Sequence, residues 1–183
     1  APDFRSRKSR RNAGAGAMES KLTDQSTDKR AISVTINGTR CEAVVDVRKT
    51  LADFLREDGG FTGVHVGCEH GVCGACSVLM DGDVIRSCIL FAVQADGCEI
   101  VTVEGLGKDD ELSPLQRAFV DHHALQCGFC TPGMLLAAVD LFKHFPDPTD
   151  TQIREALSGN LCMCTGYASI VRAVRAAAPL LKS

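Results

Sequence analysis

Long apolar runs are missing from this chain. No stretch approaches the roughly 18 residues that cross a bilayer, so no membrane span is expected. An apolar secretory core is missing as well, and a reducing, cytoplasmic setting is the expectation. Positive charge is not in surplus: 20 Lys and Arg face 23 Asp and Glu, a formal net charge of -3. Phosphate backbones need a basic surface, so no nucleic-acid partner is expected. A glycine-rich phosphate loop, a nucleophile–base pair and a paired-acid site are also absent. No catalytic residue for substrate chemistry is therefore expected on this chain.

Cysteine is what the chain has in excess, 10 in 183 residues. In a secreted protein that count would read as disulfides. Several of these cysteines stand only two or three positions apart, which suits a shared metal centre better than separate staples.

Three regions differ in character. Residues 1–30 begin with Arg5, Arg7, Lys8, Arg10 and Arg11 against one acid, Asp3. Arg10-Arg11 is a weak twin-arginine signal, because no apolar stretch follows it. The expectation is a solvated tail, or an added segment ahead of a native start at Met18. If the tail is ordered, a partner surface holds it.

Residues 31–108 read as a small α+β unit. Ile32, Val34 and Ile36 alternate with Ser33 and Thr35, and Asn37-Gly38 is a hairpin signal leading to a strand over Thr39–Val45. A helix is expected near Thr50–Arg56, a second hairpin around Asp81-Gly82, and a last strand over Glu99–Val103. A linker is expected near Leu106–Asp110.

Residues 109–183 read as all-α. Ser113 and Gln116 form a capping box around Pro114, and Thr149 pairs with Gln152 in the same way. Thr131-Pro132 opens a helix to about Phe145 that is apolar nearly all round and so expected to be buried. A fourth helix is expected from Tyr167 to about Leu181.

The cysteines fall into two constellations. Cys68, Cys73 and Cys76 follow C-x4-C-x2-C, with Cys88 further on, which is the plant-type [2Fe–2S] order. Such a cluster carries a net charge near -2, and burying it requires backbone N–H groups aimed at sulfur. Gly67, Gly71 and Gly74 let the loop wrap closely. A four-cysteine zinc site is the bland alternative, but zinc ligands usually arrive as two short pairs. The second set is Cys127 and Cys130 as C-x2-C, and Cys162 and Cys164 as C-x-C. Alone it suits either zinc or a cluster. Cys130 precedes Thr131-Pro132 and Cys164 precedes Thr165-Gly166, so each pair is expected at a helix start, where free N–H groups favour an anion.

GCEHGVCGAC, QCGFCTPG and NLCMCTGY together resemble the iron–sulfur subunit of the molybdenum hydroxylases, the family of xanthine oxidase, aldehyde oxidoreductase and aerobic carbon monoxide dehydrogenase. The resemblance covers about residues 31–180. It implies a β-grasp ferredoxin domain followed by a four-helix bundle, with two [2Fe–2S] clusters. It implies a large molybdopterin subunit, a medium FAD subunit and a dimer of heterotrimers. It also implies that Gln126 and Cys164 lie against the pterin, with the helical-domain cluster nearer molybdenum. Met163 departs from the family, where many relatives carry arginine. The implied function is electron relay from the molybdopterin centre to FAD or another acceptor. A free-standing ferredoxin-like carrier and a zinc-stabilised interaction module are the rival classes. Cys41 and Cys98 remain outside both sets, and Cys41 reads as a small core residue. His70 reads as a solvated loop residue, and His122-His123 suit a helix end.

Overall fold

The computed structural model describes residues 28–108 and 111–181. The expected tail lies outside the described residues up to 27, and so do linker residues 109–110. The tail does not extend to residue 30, because the first strand already begins at Lys29.

Five strands form one mixed sheet: β1 (Lys29–Ile36), β2 (Thr39–Asp46), β3 (Ser77–Met80), β4 (Asp83–Arg86) and β5 (Glu99–Val101). Their order across the sheet is β2-β1-β5-β3-β4. β1 runs parallel to β5, and the other neighbours are antiparallel. Both hairpins turn where the sequence signals them. Asn37-Gly38 and Asp81-Gly82 have positive φ at both central residues, which matches the strand twist. Period-2 patterning buries Ile32, Val34 and Ile36 on one face of β1.

The helix expected near residues 50–56 is shorter and wider than an α-helix. α1 covers only Leu51–Asp53, capped by Thr50 Oγ1, and the chain continues as a π-helix over Phe54–Asp58. The Gly59 N–H donates to the Phe54 carbonyl at 3.0 Å, and the Phe61 N–H donates to the Leu55 carbonyl at 2.9 Å. The wider turn leaves Phe54 and Leu55 both buried against the sheet. Lys49 Nζ clamps the far end, 3.0 Å from Glu57 and 2.6 Å from Asp58. The expected last strand stops at Val101, and Val103–Gly105 turn as a 3-10 segment.

Four helices follow: α2 (Pro114–Asp121), α3 (Thr131–His144), α4 (Asp150–Leu157) and α5 (Ala168–Ala177). Ser113 with Gln116, and Thr149 with Gln152, make reciprocal capping boxes at α2 and α4, as their sequence predicts. Phe119, Met134, Ile153, Leu157, Ile170 and Val174 share one core among the four helices. α3 is buried over most of its length because it also packs on β3 and β4. α5 starts one residue after Tyr167 and ends at Ala177, with Ala178–Leu181 in a 3-10 turn. Among the described residues no helix is long and apolar enough to cross a membrane.

Candidate metal centres

Cys68, Cys73 and Cys76 lie on irregular backbone between the π-helix and β3. Positive φ at Glu69, Gly71 and Gly74 curls the loop so that successive N–H groups can face inward. The Cys73 N–H donates to Cys68 Sγ at 3.4 Å. That bond, helped by backbone contact at His70, brings the Cys68 thiol down to about 6. Cys88 sits in a 3-10 turn just after β4. Ser87 ties this turn to the loop, its Oγ donating to the Cys76 carbonyl at 2.7 Å. Cys76 and Cys88 are buried, and burial with the neighbouring Cys76 thiol pushes Cys88 up to about 11. The Cys68 and Cys73 side chains interact, as do those of Cys76 and Cys88, and the Cys68 thiol also acts on Cys88. His70 is exposed in the loop, as expected, with Nδ1 against the Cys68 carbonyl.

The second set is held by one helix end and one tight turn. Cys130 is the N-cap residue of α3 and is buried. Burial pushes its thiol up to about 12. Cys164 does not open a helix. The Thr165-Gly166-Tyr167 turn intervenes, with Gly166 and Tyr167 left-handed, and α5 begins only at Ala168. The turn supplies the donors that a helix end was expected to supply. Thr165 N–H approaches Cys162 Sγ at 3.5 Å, and Thr165 Oγ1 lies 3.0 Å from the same sulfur. Burial acts to raise the Cys162 thiol, but these hydrogen bonds outweigh it and bring it down to about 7. Cys127 Sγ lies 3.5 Å from Cys164 Sγ, which lies 3.9 Å from Cys162 Sγ.

Among the described residues no three His, Cys, Asp or Glu side chains close around one ion-sized point. Neighbouring thiols suit a two-iron core, where each iron takes two of the four ligands. One buried hydroxyl supports the same fit. Thr131 Oγ1, next to Cys130, has no hydrogen-bond partner among the described residues. A buried hydroxyl needs an acceptor, and cluster sulfur would supply one.

The two sets are laced together. Leu161 N–H donates to the Cys73 carbonyl at 2.8 Å. The His65 ring stacks on Phe129 with centroids 4.9 Å apart, and its Nδ1 lies 2.7 Å from the Phe129 carbonyl. A Cβ at Gly133 would stand 2.2 Å from the Gly74 carbonyl, so glycine is what lets α3 touch the first loop. Asn160, 1% exposed, donates to that same carbonyl at 3.0 Å.

Several residues that shape the site carried no role in the sequence: Arg86, Asn160, Tyr167, His65 and Gly133. Tyr167 OH accepts from the Cys162 N–H at 2.7 Å and donates to the Asn160 carbonyl at 3.1 Å. A lone Tyr after C-x-C was the available signal. Gln126 is exposed beside Cys127, and its amide makes no hydrogen bond to a described residue. Cys41, expected in the core, is only half-buried on β2 and packs at the core's margin.

Residues 34–104 match the family described as the 2Fe-2S iron-sulfur cluster binding domain, and residues 102–175 match the [2Fe-2S] binding domain. The chain is 57% identical over 152 residues to the nicotine 6-hydroxylase small subunit of Paenarthrobacter nicotinovorans, covering 83% of this chain and 92% of that one. It is 52% identical over 151 residues to caffeine dehydrogenase subunit gamma of Pseudomonas sp. (strain CBB1), covering 81% and 90%. Among solved structures, quinoline 2-oxidoreductase from Pseudomonas putida 86 superposes with a TM-score of 0.83 at 49% identity, over 85% of this chain and 98% of that one.

Proposed function

The chain belongs to the iron–sulfur small subunits of the molybdenum hydroxylases, and on that footing we propose how its residues do that work. Cys68, Cys73, Cys76 and Cys88 hold one [2Fe–2S] cluster, and Cys127, Cys130, Cys162 and Cys164 hold the other. The sheet half, assigned to residues 31–108, is a β-grasp ferredoxin domain. The helical half, assigned to 109–183, is a four-helix bundle. When bound, the clusters supply one-electron oxidation and reduction. The chain's own residues hold them at a set spacing, aim N–H groups at sulfur and keep water from the buried thiols. The product of that work is a wire between a molybdopterin centre, which gains two electrons per substrate, and FAD or another acceptor.

The observation that carries this reading is the pair of four-thiol sets laced through one interface. Exposed apolar residues support a partner over the second set: Phe129 is 47% exposed, Leu161 51% and Met163 99%. We assign this face to the large molybdopterin subunit, with Gln126 and Cys164 against the pterin. The unpartnered Gln126 amide, offering both donor and acceptor, suits a pterin edge. An FAD subunit meets the other cluster, and the complex is a dimer of heterotrimers. Thiols kept as cluster ligands suit a reducing cytoplasm. A free-standing carrier is not favoured, because the relatives are subunits of larger enzymes. Relatives named for nicotine and caffeine share more than half of the aligned residues, and the quinoline enzyme shares the fold, so substrate choice belongs to the partner.

The test is metal analysis of the native complex. Two [2Fe–2S] clusters require about four iron and four acid-labile sulfide per chain, with visible absorbance bleached by dithionite. A large subunit should co-purify. About two iron per chain, or stoichiometric zinc, would overturn the two-cluster assignment.

A further inference from the structure

Arg86 ends β4 two residues before Cys88, and its guanidinium reaches from the sheet half into the helical half. Nη1 donates to Ser77 Oγ at 2.7 Å. Nη2 donates to the Gly159 carbonyl at 2.8 Å and to Asn160 Oδ1 at 3.3 Å. Asn160 returns the contact, donating from Nδ2 to the Gly74 carbonyl and, at 3.4 Å, to Ser77 Oγ. Each partner is tied in sequence to a proposed ligand. Gly74 follows Cys73, Ser77 follows Cys76, and Gly159 and Asn160 lead into Cys162. The pocket is shaped for this side chain: a Cβ at Gly159 would stand 2.7 Å from Nη2.

All three acceptors are neutral, so none of them cancels the guanidinium charge. A half-buried cation among neutral acceptors is costly unless something nearby is negative. Two anionic clusters held by the assigned thiols on either side of the interface would be that negative partner. Reduction makes each cluster more negative, and a fixed cation attracts the reduced form more than the oxidised one. Half-burial weakens the screening of that attraction by salt.

We propose that Arg86 is a positioning residue whose charge raises the midpoint potentials of both clusters while its hydrogen bonds clasp the two loops. This rests on the cluster assignment made above. A neutral side chain of similar reach could keep some of the hydrogen bonds but not the field, and that difference makes the charge separable from the clasp.

The experiment is an EPR-monitored redox titration of the native complex carrying R86Q, R86K or S77A. R86Q should lower both midpoint potentials with iron still at about four per chain. R86K keeps the charge and should hold both potentials close to wild type. S77A removes the hydroxyl that accepts from Arg86 and donates to the Gly74 carbonyl, yet keeps the charge, so it should do the same. R86K decides the matter if R86Q loses iron, because a drop in both potentials with the charge kept would overturn the proposal. Unmoved potentials in R86Q with clusters intact would overturn it too. So would a drop in S77A as large as that in R86Q, since it would trace to lost packing. Iron near two in the wild type would sink the cluster assignment instead, and the two failures are thus distinct.

Discussion

The sheet half holds three of its four thiols on irregular backbone and Cys88 on a 3-10 turn, whereas the helical half holds its four with a helix end and a single tight turn. In the sheet half Cys76 and Cys88 are both buried and anchor the loop from below. In the helical half only Cys130 is buried, and Cys127 is exposed. The first loop depends on left-handed residues, because no regular element supplies its inward N–H groups. The second depends on α3 and on Tyr167. The difference teaches that a thiol cage can be made rigid either by winding the backbone around it or by borrowing rigidity from packed helices. It also separates the two sets by exposure, and the more exposed set is the one assigned to the molybdenum partner.

Removing one thiol from one set has the largest expected effect. Cys73→Ser should abolish the sheet-side cluster and spare the helical one, cutting iron from about four to about two per chain. One rhombic EPR signal should vanish. Survival of both signals would mean that Cys73 is not a ligand.

Gly133→Ala attacks the contact between the halves. Alanine is better than glycine in a helix by roughly 1 kcal/mol. Here its Cβ would meet the Gly74 carbonyl at 2.2 Å and Asn160 Nδ2 at 2.8 Å, so something in the first loop must move. Overpacking of this kind costs about 1–3 kcal/mol or more and outweighs the propensity gain. Thermal unfolding of the iron-loaded chain should show a lower midpoint. A higher midpoint would mean that the two halves are not in firm contact at α3.

A smaller loss is expected from Tyr167→Phe. It leaves the Cys162 N–H and the Asn160 carbonyl without the hydroxyl that serves both. Unpairing such groups costs about 1–3 kcal/mol. The EPR signal of the helical-half cluster should shift while that of the sheet half stays. Equal changes in both signals would show that the turn is not private to the second set.

Gln126→Leu should have the least effect on the chain itself, because its amide bonds to no described residue. Both clusters and the thermal midpoint should be unchanged. Electron entry from molybdenum should slow, with flavin-side diaphorase activity intact. Normal transfer in stopped-flow reduction by substrate would remove the pterin role from Gln126.

Much of this molecule was legible in the sequence because it rests on local physics. The hairpins at Asn37-Gly38 and Asp81-Gly82, and the capping boxes at Ser113 and Thr149, need only neighbouring residues. The cysteine spacings are local as well, and the family resemblance grew from them. The pieces that differ from local expectation turn on packing. Thr165-Gly166 looked like a helix start, yet Gly166 and Tyr167 turn left-handed first so that the tyrosine hydroxyl can reach Cys162. The helix near Leu51 widened into a π-turn that buries both Phe54 and Leu55 against the sheet.

By itself the sequence set how the thiols fall along the chain: eight in two spaced sets, each with its glycines or its proline. Only the tertiary structure decided that the two sets share an interface. Asn160 meets Gly74 across 86 residues, and Arg86 meets Gly159 across 73. Such contacts have no period and no motif. Gly133 and Gly159 act through a missing Cβ, which becomes visible only when another part of the chain arrives to fill the space.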